Sequence, residues 1–249
     1  MNTVFSDAQF SQDKIMKMNR IRFMIRSKVS CCSAFILLVL TLILCTSCHR
    51  TEKTYYRPGV PKVEMTYSGK KLDGIYRMWY QTGALKQQAF YKNDKLEGKL
   101  ESWYPNGNRE LQEEYANGVR NGKSVSWDEF GNKKEEKNYR NDTLDGKYQL
   151  WYESGIQKID GNYKKGMFDG KWQYYSQFGT LVGEGIFQKG CGVLVGYGAT
   201  GHKIHEVHYI GNKREGDEIE YNADGSIKNK TVYKQDRIIE VLPKSEPGH

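Results

Sequence analysis

The sequence predicts an all-β protein, an elongated single-layer antiparallel β-meander of seven to eight stacked β-hairpin repeats. Glycine recurs every 24 residues from Gly74 to Gly216, with a single interval of 22. Each of these glycines is followed five residues later by an aromatic, nine residues later by a second glycine and seventeen residues later by Tyr or Phe. The mean hydropathy is −0.76, yet aromatics make up 13% of the chain. This combination is typical of a thin, aromatic-rich sheet and not of a thick aliphatic core or a disordered chain.

The repeated positions define seven copies. The first glycines are Gly74, Gly98, Gly122, Gly146, Gly170, Gly192 and Gly216. The aromatics five residues on are Trp79, Trp103, Trp127, Trp151, Tyr175, Tyr197 and Tyr221. The second aromatics are Tyr91, Tyr115, Tyr139, Tyr163, Phe187, Tyr209 and Tyr233.

Residue types within a copy indicate one hairpin. An aromatic-rich strand runs from the first glycine to a turn such as Asn106-Gly107, and a second strand runs to a polar turn such as Asn117-Gly118 or Asn141-Asp142. We expect every glycine to serve a hairpin turn. We also expect the two columns of aromatics to form the core, since burial of one aromatic contributes on the order of 1.5 to 3 kcal/mol.

Copy six departs from the pattern. It carries the 22-residue interval and has extra glycines at Gly196 and Gly198. Comparison of residues 187–192 with residues 163–170 predicts a shortened second turn around Cys191, with the strand register kept. A weak or bent place in the sheet is expected at copy six.

Two copies carry a familiar motif most clearly. The segments Gly98-Lys-Leu-Glu-Ser-Trp-Tyr-Pro-Asn-Gly107 and Gly146-Lys-Tyr-Gln-Leu-Trp-Tyr-Glu-Ser-Gly155 resemble the MORN repeat variant. The resemblance spans about residues 62–236 and implies a non-enzymatic hairpin-repeat fold without cofactors. It also implies two partner classes, because bacterial proteins of this variant are associated with antitoxin-like components of toxin–antitoxin modules and ordinary MORN repeats with membrane lipid and scaffolding.

The N-terminal segment predicts export. Six Lys or Arg and two Asp or Glu lie in residues 1–47, and an apolar run of 12 residues begins at Ala34. Such a run is a secretory hydrophobic region and is short for a transmembrane helix. The following Cys45-Thr-Ser-Cys48 resembles a bacterial lipoprotein signal. We therefore predict lipid attachment at Cys48, with an uncleaved anchor or ordinary cleavage as alternatives and Met24 as an alternative start.

These observations divide the chain into four parts. Residues 1–47 are expected to be the signal segment, 48–61 a linker after the lipid anchor, 62–236 the repeat domain and 237–249 a C-terminal cap and tail. Within the last part, Ile238–Leu242 is apolar enough for one more strand.

Charge argues against nucleic acid as a partner. The formal net charge is +8, and with the leader removed 32 Lys or Arg face 28 Asp or Glu, or +4. The two signs are interspersed and dense basic blocks are missing from the sequence, so phosphate-backbone binding is not indicated.

Candidate catalytic and metal-binding groups have structural interpretations. On a strand His202 and His208 would share one face and His205 the other, so no metal is expected. Cys191 has no catalytic arrangement around it in the sequence. The adjacent pairs Glu113-Glu114 and Glu135-Glu136 would point to opposite faces. We expect no catalytic residues.

Four functions remain. The leader and the missing catalytic motifs favour a cell-envelope lipoprotein, periplasmic or surface-facing, whose sheet holds an unknown protein partner. A cytoplasmic antitoxin-like binder and a MORN-type membrane-lipid scaffold are the alternatives, and an enzyme is the least favoured.

Overall fold

The computed structural model describes residues 49–242, which form one antiparallel β-sheet of 19 strands. The strands are β1 His49–Arg57, β2 Val60–Ser68, β3 Lys71–Trp79, β4 Leu85–Lys92, β5 Lys95–Leu96, β6 Gly98–Trp103, β7 Arg109–Ala116, β8 Val119–Trp127, β9 Lys133–Arg140, β10 Thr143–Trp151, β11 Gln157–Lys164, β12 Met167–Phe168, β13 Gly170–Tyr175, β14 Leu181–Gln188, β15 Cys191–Tyr197, β16 Lys203–Ile210, β17 Lys213–Tyr221, β18 Ile227–Lys234 and β19 Arg237–Leu242. No helix occurs in this range.

The sheet is a meander in which each strand pairs with its neighbours in sequence. One residue separates the short β5 from β6, and both strands pair with β4. One residue likewise separates the short β12 from β13, and both strands pair with β11. Copy one comprises β3 and β4, and copy seven comprises β17 and β18. The predicted fold class, an all-β single-layer meander of stacked hairpins, is confirmed.

An additional copy precedes the seven. Strands β1 and β2 pair from His49↔Ser68 to Arg57↔Val60, and β2 pairs with β3. The expectation of a linker over residues 48–61 is therefore wrong for His49 onward. This leading copy was missed because Arg50 stands where the first glycine recurs, although Tyr55, Gly59 and Tyr67 keep the 24-residue spacing.

Two kinds of turn connect the strands. The glycine turns, within a copy, close with two backbone bonds; in copy one Gly83 N–H donates to Tyr80 C=O and Tyr80 N–H donates to Ala84 C=O, both at 2.9 Å. The linking turns, between copies, have two central residues with positive φ, for example Asn93 at 50° and Asp94 at 67°. That conformation matches strand twist and favours Asn, Asp and Gly, as the sequence predicted.

The first repeated glycines do not lie in turns, which corrects our expectation. Gly74 has φ +133° inside β3, where the register shifts between Met65↔Tyr76 and Tyr67↔Leu72. A Cβ at Gly74 would lie 2.8 Å from the side chain of Thr66. The glycine is therefore required by a β-bulge that brings the two strands close together.

Copy six lacks this bulge. The register of β14 and β15 runs without a shift from Gly183↔Gly196 to Gln188↔Cys191. The linking turn at Lys189-Gly190 has the same two-residue form as Lys165-Gly166 in the preceding copy, with φ of 52° and 77° against 51° and 78°. The shortened second turn was thus a wrong prediction: the two missing residues come from the bulge, and Cys191 begins a strand.

The two aromatic columns are not a closed core. All seven members of the first column, from Trp79 to Tyr221, are half-buried. In the second column Phe187 and Tyr233 are buried and the others are half-buried. This follows from the single layer that residues 49–242 form, in which no second sheet covers either face.

Pairing assigns the second column to one face, which we call the tyrosine face. Tyr76 is paired with Ala89, two residues from Tyr91, and the rings of Tyr76 and Tyr91 meet edge to face with centroids 5.9 Å apart. Strand alternation places Lys123, Val125 and Glu136 on the opposite face. Both faces therefore carry packed side chains, although no other layer of the described part of the chain covers them.

Burial concentrates on the tyrosine face of copies four to six. Trp172 is 2% exposed, and its ring lies 5.0 Å from Tyr163 and 4.6 Å from Phe168, centroid to centroid. Phe168 also contacts Phe187 at 5.4 Å. Strand glycines make room for these rings, since a Cβ on Gly161 would overlap the Trp172 indole. The aromatic cluster comprises Tyr148, Tyr163, Phe168, Trp172, Tyr174, Phe187 and Tyr209.

Hydrogen bonds between neighbouring copies occur at both margins of the sheet. At one margin, Asp94 N–H donates to Leu72 C=O at 2.8 Å and Asp94 Oδ1 accepts from Leu72 N–H at 2.7 Å. At the other margin, Tyr80 Oη donates to Trp103 C=O at 2.8 Å, and Tyr104 Oη to Trp127 C=O at 2.9 Å. These bonds join residues 22 or 23 positions apart, so neighbouring copies hold each other in register.

Candidate binding groove at the glycine-turn margin

The tips of the glycine turns differ in one respect. The residue before the turn glycine is Thr82, Asn106, Phe130, Ser154, Phe178, Thr200 or Asp224. Five of these are small or polar residues, which turn geometry favours. Phe130 and Phe178 are the exceptions, and their exposures are 79% and 81%. Phe130 and Phe178 therefore place two large apolar rings in water at the same margin of the sheet.

The two phenylalanine-bearing turns are fixed by side-chain caps. In copy three Asp128 Oδ1 accepts from Phe130 N–H at 3.0 Å and Asn132 N–H at 2.9 Å. In copy five Ser176 Oγ accepts from Phe178 N–H and Thr180 N–H, both at 3.2 Å. Asp128 and Ser176 occupy the position that holds Tyr80 and Tyr104 in copies one and two. In copies three and five, hydrogen bonds within the turn thus stand in place of the tyrosine bond to the next copy. They fix the backbone of the turn that carries the exposed ring.

The cap at Asp128 also acts on its ionisation. Partial desolvation alone would raise the pKa of this carboxyl. The hydrogen bonds from the Asn132 side chain and from the Asn132, Phe130 and Gly131 amides outweigh it, so the pKa lies below its usual value. The cap is consequently charged at neutral pH.

A groove of about 1280 Å³ lies between these two turns. The lining contains Phe130 and Phe178 together with Trp151, Tyr104 and Tyr152. Copy four, which lies between the two turns, keeps its tyrosine, and Tyr152 Oη donates to Tyr175 C=O at 2.8 Å. The groove is therefore lined by half-buried aromatics together with two exposed phenylalanines.

The charged groups of the groove are balanced. Lys133, Lys134 and Lys158 line it with Asp128, Glu129 and Glu153. Lys133 Nζ lies 5.2 Å from the Trp151 ring centroid, and Lys158 Nζ lies 5.2 Å from that of Tyr152. The ammonium groups thus lie against aromatic faces. Such a surface suits a ligand that carries apolar groups and both signs of charge.

Glu136 positions Lys133. Glu136 is 7% exposed, and its carboxylate accepts from Lys123 Nζ at 2.6 Å and Lys133 Nζ at 2.9 Å. Burial raises the pKa of Glu136, but the two ammonium groups more than offset that effect and the net pKa is lowered. The carboxylate therefore anchors the lysine stem that covers Trp151.

The acidic and thiol candidates from the sequence occupy separate places. Glu113 accepts from Ser124 Oγ and Tyr115 Oη, while Glu114 accepts from Lys123 N–H, so this pair serves packing on opposite faces. Cys191 is an exposed free thiol at the start of β15.

The three histidines do not converge. His205 Nε2 lies 2.7 Å from Glu218 Oε1, His208 Nδ1 donates to Asp217 C=O at 3.0 Å, and His202 Nδ1 lies 2.6 Å from Thr200 Oγ1. Across residues 49–242 no group of three or more His, Cys, Asp or Glu side chains is placed to hold a metal ion.

The predicted signal segment 1–47 and lipid site Cys48 lie outside the described residues. Between His49 and Leu242 there is no helix that could span a membrane.

The fold and its repeat define the class as a β-hairpin repeat protein. The family model described as MORN repeat variant matches four segments, at residues 72–93, 96–117, 120–141 and 214–235. These segments fall in copies one, two, three and seven, and they confirm the repeat type that the sequence motif resembled. A comparison with curated proteins finds no match.

The groove was not predicted from the sequence, although the sequence contains a signal for it. Aligning the copies shows Phe at a turn position that otherwise holds Thr, Asn, Ser or Asp. It also shows Asp128 and Ser176 in a column that begins with Tyr80 and Tyr104. Copies six and seven also lack Tyr in this column, with Gly198 and Asn222, but only copies three and five combine its loss with Phe at the tip.

Proposed function

We propose that this protein is a non-enzymatic, membrane-anchored lipoprotein of the cell envelope whose repeat sheet binds a protein partner in the groove between Phe130 and Phe178. The observation that carries this proposal is the pair of exposed phenylalanines on capped turns, two copies apart, beside a groove with balanced charge. Exposed aromatics at the centre of a polar margin are the usual anchors of protein interfaces. The partner expected is a polypeptide segment with apolar side chains flanked by acidic and basic residues.

Site-specific photo-crosslinking in the producing cells tests the groove. A photoreactive amino acid replaces Phe130 or Phe178 in the full-length chain, and matched controls replace Asn106 or Thr200 at the same turn position of other copies. We expect one discrete adduct from both phenylalanine positions and none from the controls. The adduct formed from position 130 should be lost when Phe178→Ser is added. Equal labelling from all four positions, or from none, would contradict the proposal.

The anchor has its own test, since it concerns residues outside the groove. Metabolic labelling with a radioactive lipid precursor should mark the parent chain and not Cys48→Ala, because only a thiol at the modified position can carry the diacylglyceryl group. Unlabelled parent chain that remains in the soluble fraction would exclude the anchor and favour the cytoplasmic antitoxin-like alternative.

Membrane lipid is the second candidate ligand of the groove. Two exposed phenylalanines beside Lys133, Lys134 and Lys158 have the chemistry of a turn that inserts at a lipid interface. Flotation of Cys48→Ala with vesicles containing anionic lipid distinguishes this case. Flotation that is lost in Phe130→Ser/Phe178→Ser would identify lipid as the ligand, whereas no flotation favours the protein partner.

A further inference from the structure

The last strand, β19, is an open edge of unusual composition. It pairs only with β18 within the described chain, so alternate N–H and C=O groups point away from the sheet without a strand partner. Ile238, Ile239 and Val241 are 59%, 61% and 62% exposed. An apolar edge of this kind is a template for another strand.

The opposite edge, β1, is protected by charge. Arg50 and Glu52 form an ion pair of 2.8 Å along it, and Lys53 reaches Glu64 on the neighbouring strand at 3.6 Å. Charged side chains on an edge oppose the addition of a further strand. The two ends of the sheet therefore differ, and pairing between molecules is expected at β19 alone.

The side chains of β19 complement a second copy of the same strand. Ile238 is paired with Tyr233 and Val241 with Thr231, so both lie on the tyrosine face, while Glu240 and Arg237 pair with Val232 and Lys234 on the opposite face. A β-bulge at Ile239 produces this arrangement.

An antiparallel pairing with its two-fold axis between Ile239 and Glu240 would place Ile238 opposite Val241 of the second copy. Both side chains are then on the same face, because the bulge shifts the alternation by one residue. The same register brings Arg237 diagonal to Glu240 of the second copy, within reach of long side chains. Within residues 49–242 neither Arg237 nor Glu240 takes part in an ion pair.

We propose that the protein forms a two-fold homodimer by antiparallel pairing of β19 with β19 of a second copy, which joins two sheets into one. Two-fold pairing closes the assembly, since the remaining edges are both β1 strands and carry charge. This pairing of β19 requires neither the groove nor the lipid anchor.

A charge exchange tests the register directly. The full-length chain is purified in mild detergent. Sedimentation then gives the mass of the protein after the contribution of the bound detergent is subtracted. We expect a dimer for the parent, a dissociation constant about tenfold higher for Arg237→Glu and for Glu240→Arg, and recovery of the parent affinity in the double variant Arg237→Glu/Glu240→Arg. Only a pairing in which the two positions meet across the axis restores affinity in the double variant.

A second pair of variants tests the edge itself. Val241→Lys should yield a monomer, whereas Ile186→Lys, which places the same charge at a 75% exposed isoleucine inside the sheet, should leave the dimer intact. A monomeric parent chain would overturn the proposal. A dimer that persists in Val241→Lys, or single charge variants that bind as tightly as the parent, would also overturn it.

Discussion

Copies one to three and copies four to six are built from the same hairpin but are stabilised differently. In residues 72–141 the ring–ring contacts are limited to Tyr76 with Tyr91, and ion pairs such as Lys123–Glu136 support the strands. In residues 143–210 seven rings form one cluster, and strand glycines such as Gly161 accommodate them. One continuous sheet can thus be stabilised by ion pairs in some copies and by a cluster of contacting rings in others.

The largest difference should come from Trp172. Trp172→Ala removes the most buried ring of the cluster, and we expect the free energy of unfolding to fall by about 3–5 kcal/mol. Leu100→Ala, the equivalent position in copy two, is the matched control and should cost clearly less because that side chain is only half-buried. Urea denaturation followed by circular dichroism measures both. Equal losses would show that the two regions are stabilised alike.

The next effect concerns the shortened copy. Gly190 has φ +77°, and a Cβ there would lie 2.7 Å from the backbone nitrogen of Asn212. Gly190→Ala should cost about 2–5 kcal/mol, which combines left-handed strain with overpacking. Gly166 has φ +78°, and a Cβ there would lie at an ordinary contact distance of 3.4 Å from the Thr143 side chain. Gly166→Ala should therefore cost only the left-handed strain, about 1–2 kcal/mol. The denaturation midpoints of the two variants are compared. Identical midpoints would mean that the backbone at Asn212 moves away from the new Cβ at no cost in stability.

A smaller effect should follow from Asn212. Its side chain accepts from Phe168 N–H at 2.7 Å and donates to Gly166 C=O at 2.8 Å, so it bridges over copy six. Asn212→Gly keeps the positive φ and removes both bonds, at about 2–3 kcal/mol. The control Asp94→Gly removes one such bond and should cost about 1 kcal/mol. Hydrogen exchange at the Phe168 amide should accelerate in Asn212→Gly; an unchanged rate would argue against the bridge.

The smallest effect is a pH dependence in the regular region. The pKa of Glu136 is lowered in the folded chain, so its ion pairs stabilise the fold above the ordinary value of 4.5. This contribution is lost as the pH falls through the folded pKa. Glu136→Gln should be less stable than the parent at neutral pH and should lose less stability on acidification. Parallel curves of denaturation midpoint against pH would contradict this.

The sequence predicted what depends on local chemistry and missed what depends on neighbouring copies. Asn141-Asp142 identified a linking turn because residues that tolerate positive φ are few. Gly74 was misassigned because a bulge and a turn both select glycine, and only strand pairing distinguishes them. The half-burial of Trp79 could not be predicted from spacing, which does not say whether a second layer covers a column.

The groove was missed for a related reason. Phe130 and Phe178 lie 48 positions apart in the sequence and line one groove only because two intervening strands stack between their hairpins. The predicted lipid site at Cys48 and the envelope location stay predictions, since they concern residues before His49.

The bridge made by Asn212 bears on how the length of such a chain can change. Most contacts between copies join residues 22 or 23 positions apart, so insertion or loss of one 24-residue unit would leave equivalent contacts at the new junction. The Asn212 bonds join residues 44 and 46 positions apart and depend on one short copy in between. Related chains should therefore vary in copy number before Tyr148, and copies five, six and seven should be inherited together as a block.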